Sequence, residues 1–344
     1  MITGNVTKNQ SPEKKSFKKP SRWQTLLSEA VRDPLELLQL LNLQPENAMP
    51  ADFNPEHFPL RVPRGFIAKM QKNNWQDPLL RQVLPLDAEQ RISPGFQLDP
   101  VNDLHATQGK GMLQKYHGRA LIITTGACAI HCRYCFRQHF PYHSNSANPA
   151  EWQALVSKLD ANPSISEVIL SGGDPLTLSD ARLAALCQQI TDIPHIHTLR
   201  IHSRLPLVLP ERIDASFLHW FSALDIHKVV VIHANHAQEF CSKTSQVLNK
   251  LRQNGALLLN QSVLLKGIND SVTSLVELSQ TLHANQVLPY YLHMLDQVQG
   301  AAHYAVTEQH ALQLMQEIRN QLPGYLVPRL VREVSGKRSK SPII

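Results

Sequence analysis

Three of the five cysteines fall within eight residues, in "GACAIHCRYCFRQHF" (126–140), as Cys128, Cys132 and Cys135. Thiolates are soft donors that suit zinc and iron–sulfur clusters. A structural zinc takes four protein ligands, so His131, His139 or His143 would have to complete the set. A cubane cluster also takes four cysteines as a rule. With three, one iron keeps an open position, and an open position on a metal is where substrate chemistry occurs. The other two cysteines carry less. Cys187, within "LAALCQQI", reads as core, and Cys241, in "EFCSK", has no partner nearby in the sequence.

A second stretch, "SEVILSGGDPL", ends an apolar run with Ser171, Gly172, Gly173 and Asp174. Glycines at a strand end let the backbone approach a ligand closely, and the adjacent carboxylate can accept from an ammonium.

The elements that must position these residues are legible after Gly111. Short runs such as "ALIITTG", "SEVILSGGD", "IHTLRIHSR", "HKVVVIHAN", "ALLLNQSVLL" and "QVLPYYLHML" alternate with helical patterns. Runs without strict polar alternation suit strands buried on both faces, hence a parallel sheet. Six strand–helix units predict an α/β fold, either a partial β/α barrel or an open doubly wound sheet. Ligands in both lie at the carboxyl ends of the strands, and the cysteines follow the first strand. The expected organisation is a disordered basic tail over 1–20, a helical region over 21–110, a barrel over 111–325 and a C-terminal segment over 326–344.

Composition narrows the function classes. With 42% hydrophobic and 18% charged residues, the chain reads as globular with a real core. No run is long and apolar enough for a transmembrane helix, and no apolar h-region follows the N-terminal lysines, so a cytoplasmic protein is expected. The formal charge of +6 sits at the ends. Residues 1–22 carry six basic groups against one acid and residues 329–340 five against one, so the body between is slightly acidic. That argues against a broad nucleic-acid surface, although a zinc-stabilised, basic-tailed nucleic-acid binder is the alternative of another class.

The spacing CxxxCxxC directly after a first strand, with Tyr134 before the last cysteine, resembles the signature of radical S-adenosylmethionine enzymes. The resemblance implies a [4Fe–4S] cluster on Cys128, Cys132 and Cys135 whose open iron chelates S-adenosylmethionine. One electron then cleaves that cofactor to methionine and a deoxyadenosyl radical. The "SGGD" turn (Ser171, Gly172, Gly173, Asp174) resembles the glycine-rich motif that pairs with the methionine amino group. More narrowly, "CRYCFRQHF", "LSGGDPLTLSD", "RIHSRLPLVLPERI", "NQSVLLKGIND", "LPYYLHMLDQVQGAAHY" and "GYLVPRLVREVSGKRSKSP" resemble the lysine 2,3-aminomutase family over residues 100–344.

That family resemblance implies a partial (β/α)6 TIM-like barrel, an amino shift between adjacent carbons of L-lysine, and pyridoxal phosphate as a further cofactor. Lys340, in "SKSP", matches the Schiff-base lysine; Lys337 is the rival, and the following Ser341-Pro342 favour Lys340. Arg137 matches the arginine that grips the substrate carboxylate, and Asp296 the aspartate that receives the distal ammonium. Glu333, seven residues before Lys340, stands where the family has an aspartate. Lys115 and Arg119 match basic positions near the cofactor's anionic substituents, and Gln261 and His233 resemble residues lining the S-adenosylmethionine side. The short C-terminus, Glu333 and "SGKRSK" resemble the branch that makes (R)-β-lysine for a partner ligase acting on elongation factor P. A stand-alone catabolic or osmolyte-producing aminomutase is the rival. An electron donor such as flavodoxin or ferredoxin is expected, and no membrane partner.

Overall fold

The computed structural model describes residues 20–44, 58–148 and 150–343. The expected basic tail, Pro20 excepted, lies outside the described residues. One nine-stranded sheet organises the protein, and its strands lie in sequence order: β1 (Met112–Leu113), β2 (Arg119–Thr125), β3 (Glu167–Gly172), β4 (Thr198–Ser203), β5 (His227–Ile232), β6 (Ala256–Val263), β7 (Leu288–His293), β8 (Arg329–Arg332) and β9 (Ser341–Pro342). Strands β2 to β8 are parallel, while β1 and β9 add antiparallel at the two edges. A doubly wound sheet would reverse its strand order at a switch point. This order never reverses, which selects the barrel of the two expected architectures.

Helices Trp152–Asp160, Asp180–Thr191, Ala215–Ala223, Ser242–Gln253, Val272–Ala284 and Glu308–Gln321 cross over between the parallel strands. Each buries one stripe. Asp180–Thr191 buries Leu183, Leu186, Cys187 and Ile190, the three-and-four spacing of one helix face. Cys187 is thus core, as expected, and burial pushes its thiol up to about 12. Caps set the starts: Asp214 accepts from the Phe217 amide, and Thr307 from that of His310.

The C-terminal segment 326–344 contributes to the sheet, since Arg329–Arg332 pairs in parallel with β7 and extends it. Its four residues, with an arginine at each end, are too short and too polar to announce a strand. Among the described residues, the region 21–110 is helical only at Arg22–Ser28, Pro34–Leu40, Arg64–Ile67 and three single 3-10 turns. Ten prolines between 21 and 110 explain this, because proline removes the amide donor and restrains its predecessor. Among the described residues, no helix is long and apolar enough to cross a membrane.

Arg212 fastens this N-terminal region to the barrel. Its fully buried guanidinium donates to the Leu176 carbonyl at 2.7 Å and pairs with Asp180 at 2.8 Å. It also lies 4.8 Å from the Trp23 ring and 4.9 Å from that of Phe217. Arg212→Ala is expected to lower stability by about 3 kcal/mol in urea denaturation, the scale for breaking a buried pair from one side.

Candidate active site

Strands alternate their side chains, so every second residue of the parallel strands faces the barrel interior. Leu121, Ile169, Ser171, Arg200, His202, Gln261, Val263, Tyr291 and His293 do so, and they line a cavity of about 350 Å³. Lys115, Tyr116, Arg119, Arg137, His233, Asp296, Glu333 and Lys340 complete much of its wall. Nine of the residues singled out in the sequence therefore meet in one cavity: Lys115, Arg119, Arg137, Ser171, His233, Gln261, Asp296, Glu333 and Lys340.

A chain of alternating charges runs along that wall. Arg137 Nε donates to Asp103 Oδ2 at 2.6 Å, and Lys115 Nζ to Asp103 Oδ1 at 2.7 Å. Lys115 reaches Glu333 at 3.5 Å, and Glu333 holds Lys340 Nζ at 2.8 Å. Burial alone would raise the Asp103 carboxyl, but Arg137 and Lys115 outweigh it and hold the group below its ordinary range. Burial likewise opposes the Glu333 charge, and Lys340 and Lys115 overcome it. Arg119 is more exposed and stands 3.9 Å from Glu167.

The short edge strand explains Lys340. Val331 faces Pro342 and Arg332 faces Ser341 across the β8–β9 pair, so Glu333 and Lys340 are the next opposed residues. The turn between them passes through Gly336, whose φ of +76° is a left-handed conformation that favours glycine. Lys340 lines the cavity, whereas Lys337 is exposed on the turn.

Asp296 differs from the other acids. Its carboxylate carries no hydrogen bond among the described residues, and burial lifts it to about 7 although Lys340 pulls it down. The cavity also contains buried polar atoms without partners, Gln261 Oε1 and His202 Nε2. The Gln261 amide nitrogen meets His293 Nε2 at 2.6 Å, and His202 and His233 stand 5.4 Å apart, ring to ring. Burial lowers His233 to about 4, so this ring is neutral near pH 7.

The cysteines lie on the loop after β2, all free and half-buried. Burial first, then the neighbouring sulfurs, raise Cys128 strongly and Cys135 to about 11. The Cys128 and Cys135 thiolates keep their charge there only with cations beside them, which suits a cluster ligand set. The zinc alternative finds no fourth donor gathered with the sulfurs among the described residues. His131 Nδ1 lies 2.6 Å from the Pro59 carbonyl, His139 Nε2 lies 3.2 Å from that of Gln299, and His143 is exposed. Among the described residues, no three or more His, Cys, Asp or Glu side chains gather around a point fit for a single ion. A cubane spreads its thiolates over three irons and does not need that convergence.

The "SGGD" turn docks against this loop. Gly173 N donates to the Thr125 carbonyl at 2.7 Å and Asp174 N to that of Ala127 at 2.8 Å. A side chain at Gly172 would meet Thr125 O at 2.6 Å, and one at Gly173 would strike the Ala127 backbone. The close approach expected of these glycines is thus to the cysteine loop itself. Asp174 needs a correction: its carboxylate is not open to an ammonium. It accepts from Ser203 Oγ at 2.8 Å, from the Arg204 amide at 2.8 Å and from the Leu176 amide at 3.0 Å, and is buried.

Sequence reading missed Asp103, Tyr116, His202, His293 and the stacked pair Tyr290 and Tyr291. Only His202 and His293 left a signal, as polar residues at inward positions of otherwise apolar strands.

Asp296 yields a test with a definite sign. An aspartate in an unfolded chain titrates near 3.9. Between about pH 4 and pH 7 the folded protein retains a proton that the unfolded chain has lost, so stability falls as pH rises through that window. Asp296→Asn removes this titration. The cofactor-free variant is expected to exceed its parent by roughly 2 kcal/mol in thermal unfolding at pH 8, and to match it below pH 4.

Comparison with known proteins accords with this geometry. The model of the Radical SAM superfamily matches residues 122–218. The chain is 48% identical over 327 residues to the L-lysine 2,3-aminomutase of Escherichia coli (strain K12), covering 94% of this chain and 95% of that protein. It is 41% identical over 330 residues to that of Haemophilus influenzae, covering 96% and 98%. To that of Clostridium subterminale it is 30% identical over 281 residues, covering 81% and 67%. With nearly the whole of two such relatives matched, the chain belongs to the L-lysine 2,3-aminomutase family within the Radical SAM superfamily.

Proposed function

We propose that the protein converts L-lysine to (R)-β-lysine, moving the amino group from carbon 2 to carbon 3. The observation that carries this reading is the charge layout of one cavity. It presents a guanidinium suited to a carboxylate, an unpartnered carboxylate suited to an ammonium, and an amine held on a short edge strand.

Cys128, Cys132 and Cys135 would hold the [4Fe–4S] cluster, which would act together with S-adenosylmethionine. Ser171, the backbone of Gly172 and Gly173, Gln261 and His233 face that cofactor. Lys340 would carry pyridoxal phosphate, with Lys115 and Arg119 as the cations for its anionic substituents. The unpartnered Gln261 Oε1 and His202 Nε2 support a polar ligand in this cavity, since buried polar atoms are otherwise satisfied. When bound, these groups supply hydrogen-atom abstraction and a carbonyl to carry the migrating amine.

The chain's own share is placement. Asp103 takes Arg137 by Nε, and Ser171 Oγ accepts from Nη1 at 3.2 Å, which leaves the outer edge of the guanidinium for a substrate carboxylate. Asp296 receives the distal ammonium and becomes ionised in doing so. Glu333, already paired with Lys340 and Lys115, adds negative charge beside it. Two acids at that end disfavour an acidic amino acid as substrate. Apolar lining from Val101, Leu113, Leu121, Phe136, Ile169 and Val263 would help keep water from the reacting atoms.

We assign the product to a partner ligase that attaches it to elongation factor P in the cytoplasm, with flavodoxin or ferredoxin as electron donor. Support comes from Glu333 and "SGKRSK". Loss of β-lysylated factor on deleting the gene separates this role from a catabolic or osmolyte-producing one.

Anaerobically reconstituted protein, given both cofactors and dithionite, is expected to turn carbon-13 lysine into β-lysine by NMR; no product would sink the reading. Borohydride reduction followed by peptide mass mapping is expected to tag Lys340 and spare Lys337. Asp103→Asn is expected to lower turnover about 100-fold, the cost of a misplaced positioning group, with a raised KM for lysine.

A further inference from the structure

Beside the cysteine loop, and outside the cavity, lies a buried polar network that the amino shift does not use. At its centre is Arg204, the first residue after β4 and 6% exposed. Its Nη1 donates to Cys132 Sγ at 2.7 Å. Its Nη2 donates to Gln82 Oε1 at 2.6 Å and to Glu239 Oε2 at 3.0 Å. Glu239 is fully buried, and its other oxygen accepts from the Asn235 amide at 2.8 Å. The Gln82 carbonyl accepts from the Arg133 amide at 2.9 Å, inside the cysteine loop. The backbone amide of Arg204 is fixed by Asp174 at 2.8 Å, while the rings of Phe66 and Tyr134 flank its guanidinium at 5.5 and 5.9 Å. A cation is thus held against one ligand sulfur from several sides.

We infer that Arg204 sets the reduction potential of the cluster through Cys132, and that Glu239 opposes it. This rests on the cluster reading given above. Reduction places one further electron on the cluster, shared with its ligand sulfurs, and neither forms nor breaks a bond. A charge-assisted donor fixed at a sulfur, in surroundings that exclude water, stabilises the reduced cluster more than the oxidised one. The potential therefore rises. Glu239 stands on the far side of the guanidinium and offsets part of that charge. Its removal strengthens the effect of Arg204 instead of weakening it, so the two residues act with opposite signs.

The test is an EPR-monitored redox titration, with dithionite as reductant, of the full chain reconstituted anaerobically with iron and sulfide. Arg204→Met is expected to shift the reduction equilibrium at least tenfold toward the oxidised cluster, about 59 mV lower for one electron. Glu239→Gln is expected to move it the other way, and Arg204→Lys to stay within threefold of the parent. Parent and variants agreeing within twofold would overturn this inference and leave the cluster reading standing. A parent that takes up no reducible cluster would overturn both. Should Arg204→Met fail to fold, the sign for Glu239→Gln decides: a potential at or below that of the parent overturns the inference.

Discussion

Charges inside a poorly hydrated cavity must be paired or stay unionised, and this requirement governs the interior of the barrel. Arg137, Asp103, Lys115, Glu333 and Lys340 meet it by alternating in sign along one wall. The five come from the loop before β1, the link between β1 and β2, the cysteine loop, and the two sides of the last hairpin. No single element owns the site. The same series of pairs ties the loops at one edge of the sheet to the hairpin at the other. Asp296 is the exception: its carboxylate has no hydrogen bond among the described residues, and burial keeps its proton on to about pH 7.

Much of this could be read in the sequence, and what could not has physical causes. Parallel strands buried on both faces leave long apolar runs, so β2 to β7 stood out, whereas the four-residue β8 did not. The cysteine spacing was legible because three ligands on one loop must be close in sequence. Asp103 was not, since "VNDLH" is an ordinary polar loop until folding brings Lys115 and Arg137 to either side of it. Asp174 shows a converse limit. A carboxylate after two glycines is compatible with holding a ligand or with capping the next turn, and only the coordinates show both its oxygens used internally.

The N-terminal region, with little regular structure of its own, gains a purpose from its contacts. Glu89 receives the Arg133 guanidinium at 2.9 Å, and the Phe58 carbonyl takes another of its donors at 2.6 Å. Gln82 supplies a carbonyl to the loop and a side-chain oxygen to Arg204. Irregular backbone suits this task, because its free carbonyls can be directed at a neighbouring loop, whereas those of a helix are already engaged. The prolines that interrupt helix formation there are consistent with a segment that serves as a cover.

The hairpin that carries Lys340 has a consequence of its own. Strand β9 is two residues long and joins the sheet at its margin, held by its pairing with Val331 and Arg332 and by an Ile343 amide that reaches Leu330. Peeling such a flap aside disrupts few bonds and leaves the seven parallel strands intact. The amine thus sits at the margin of the sheet, where a local opening would cost the barrel little.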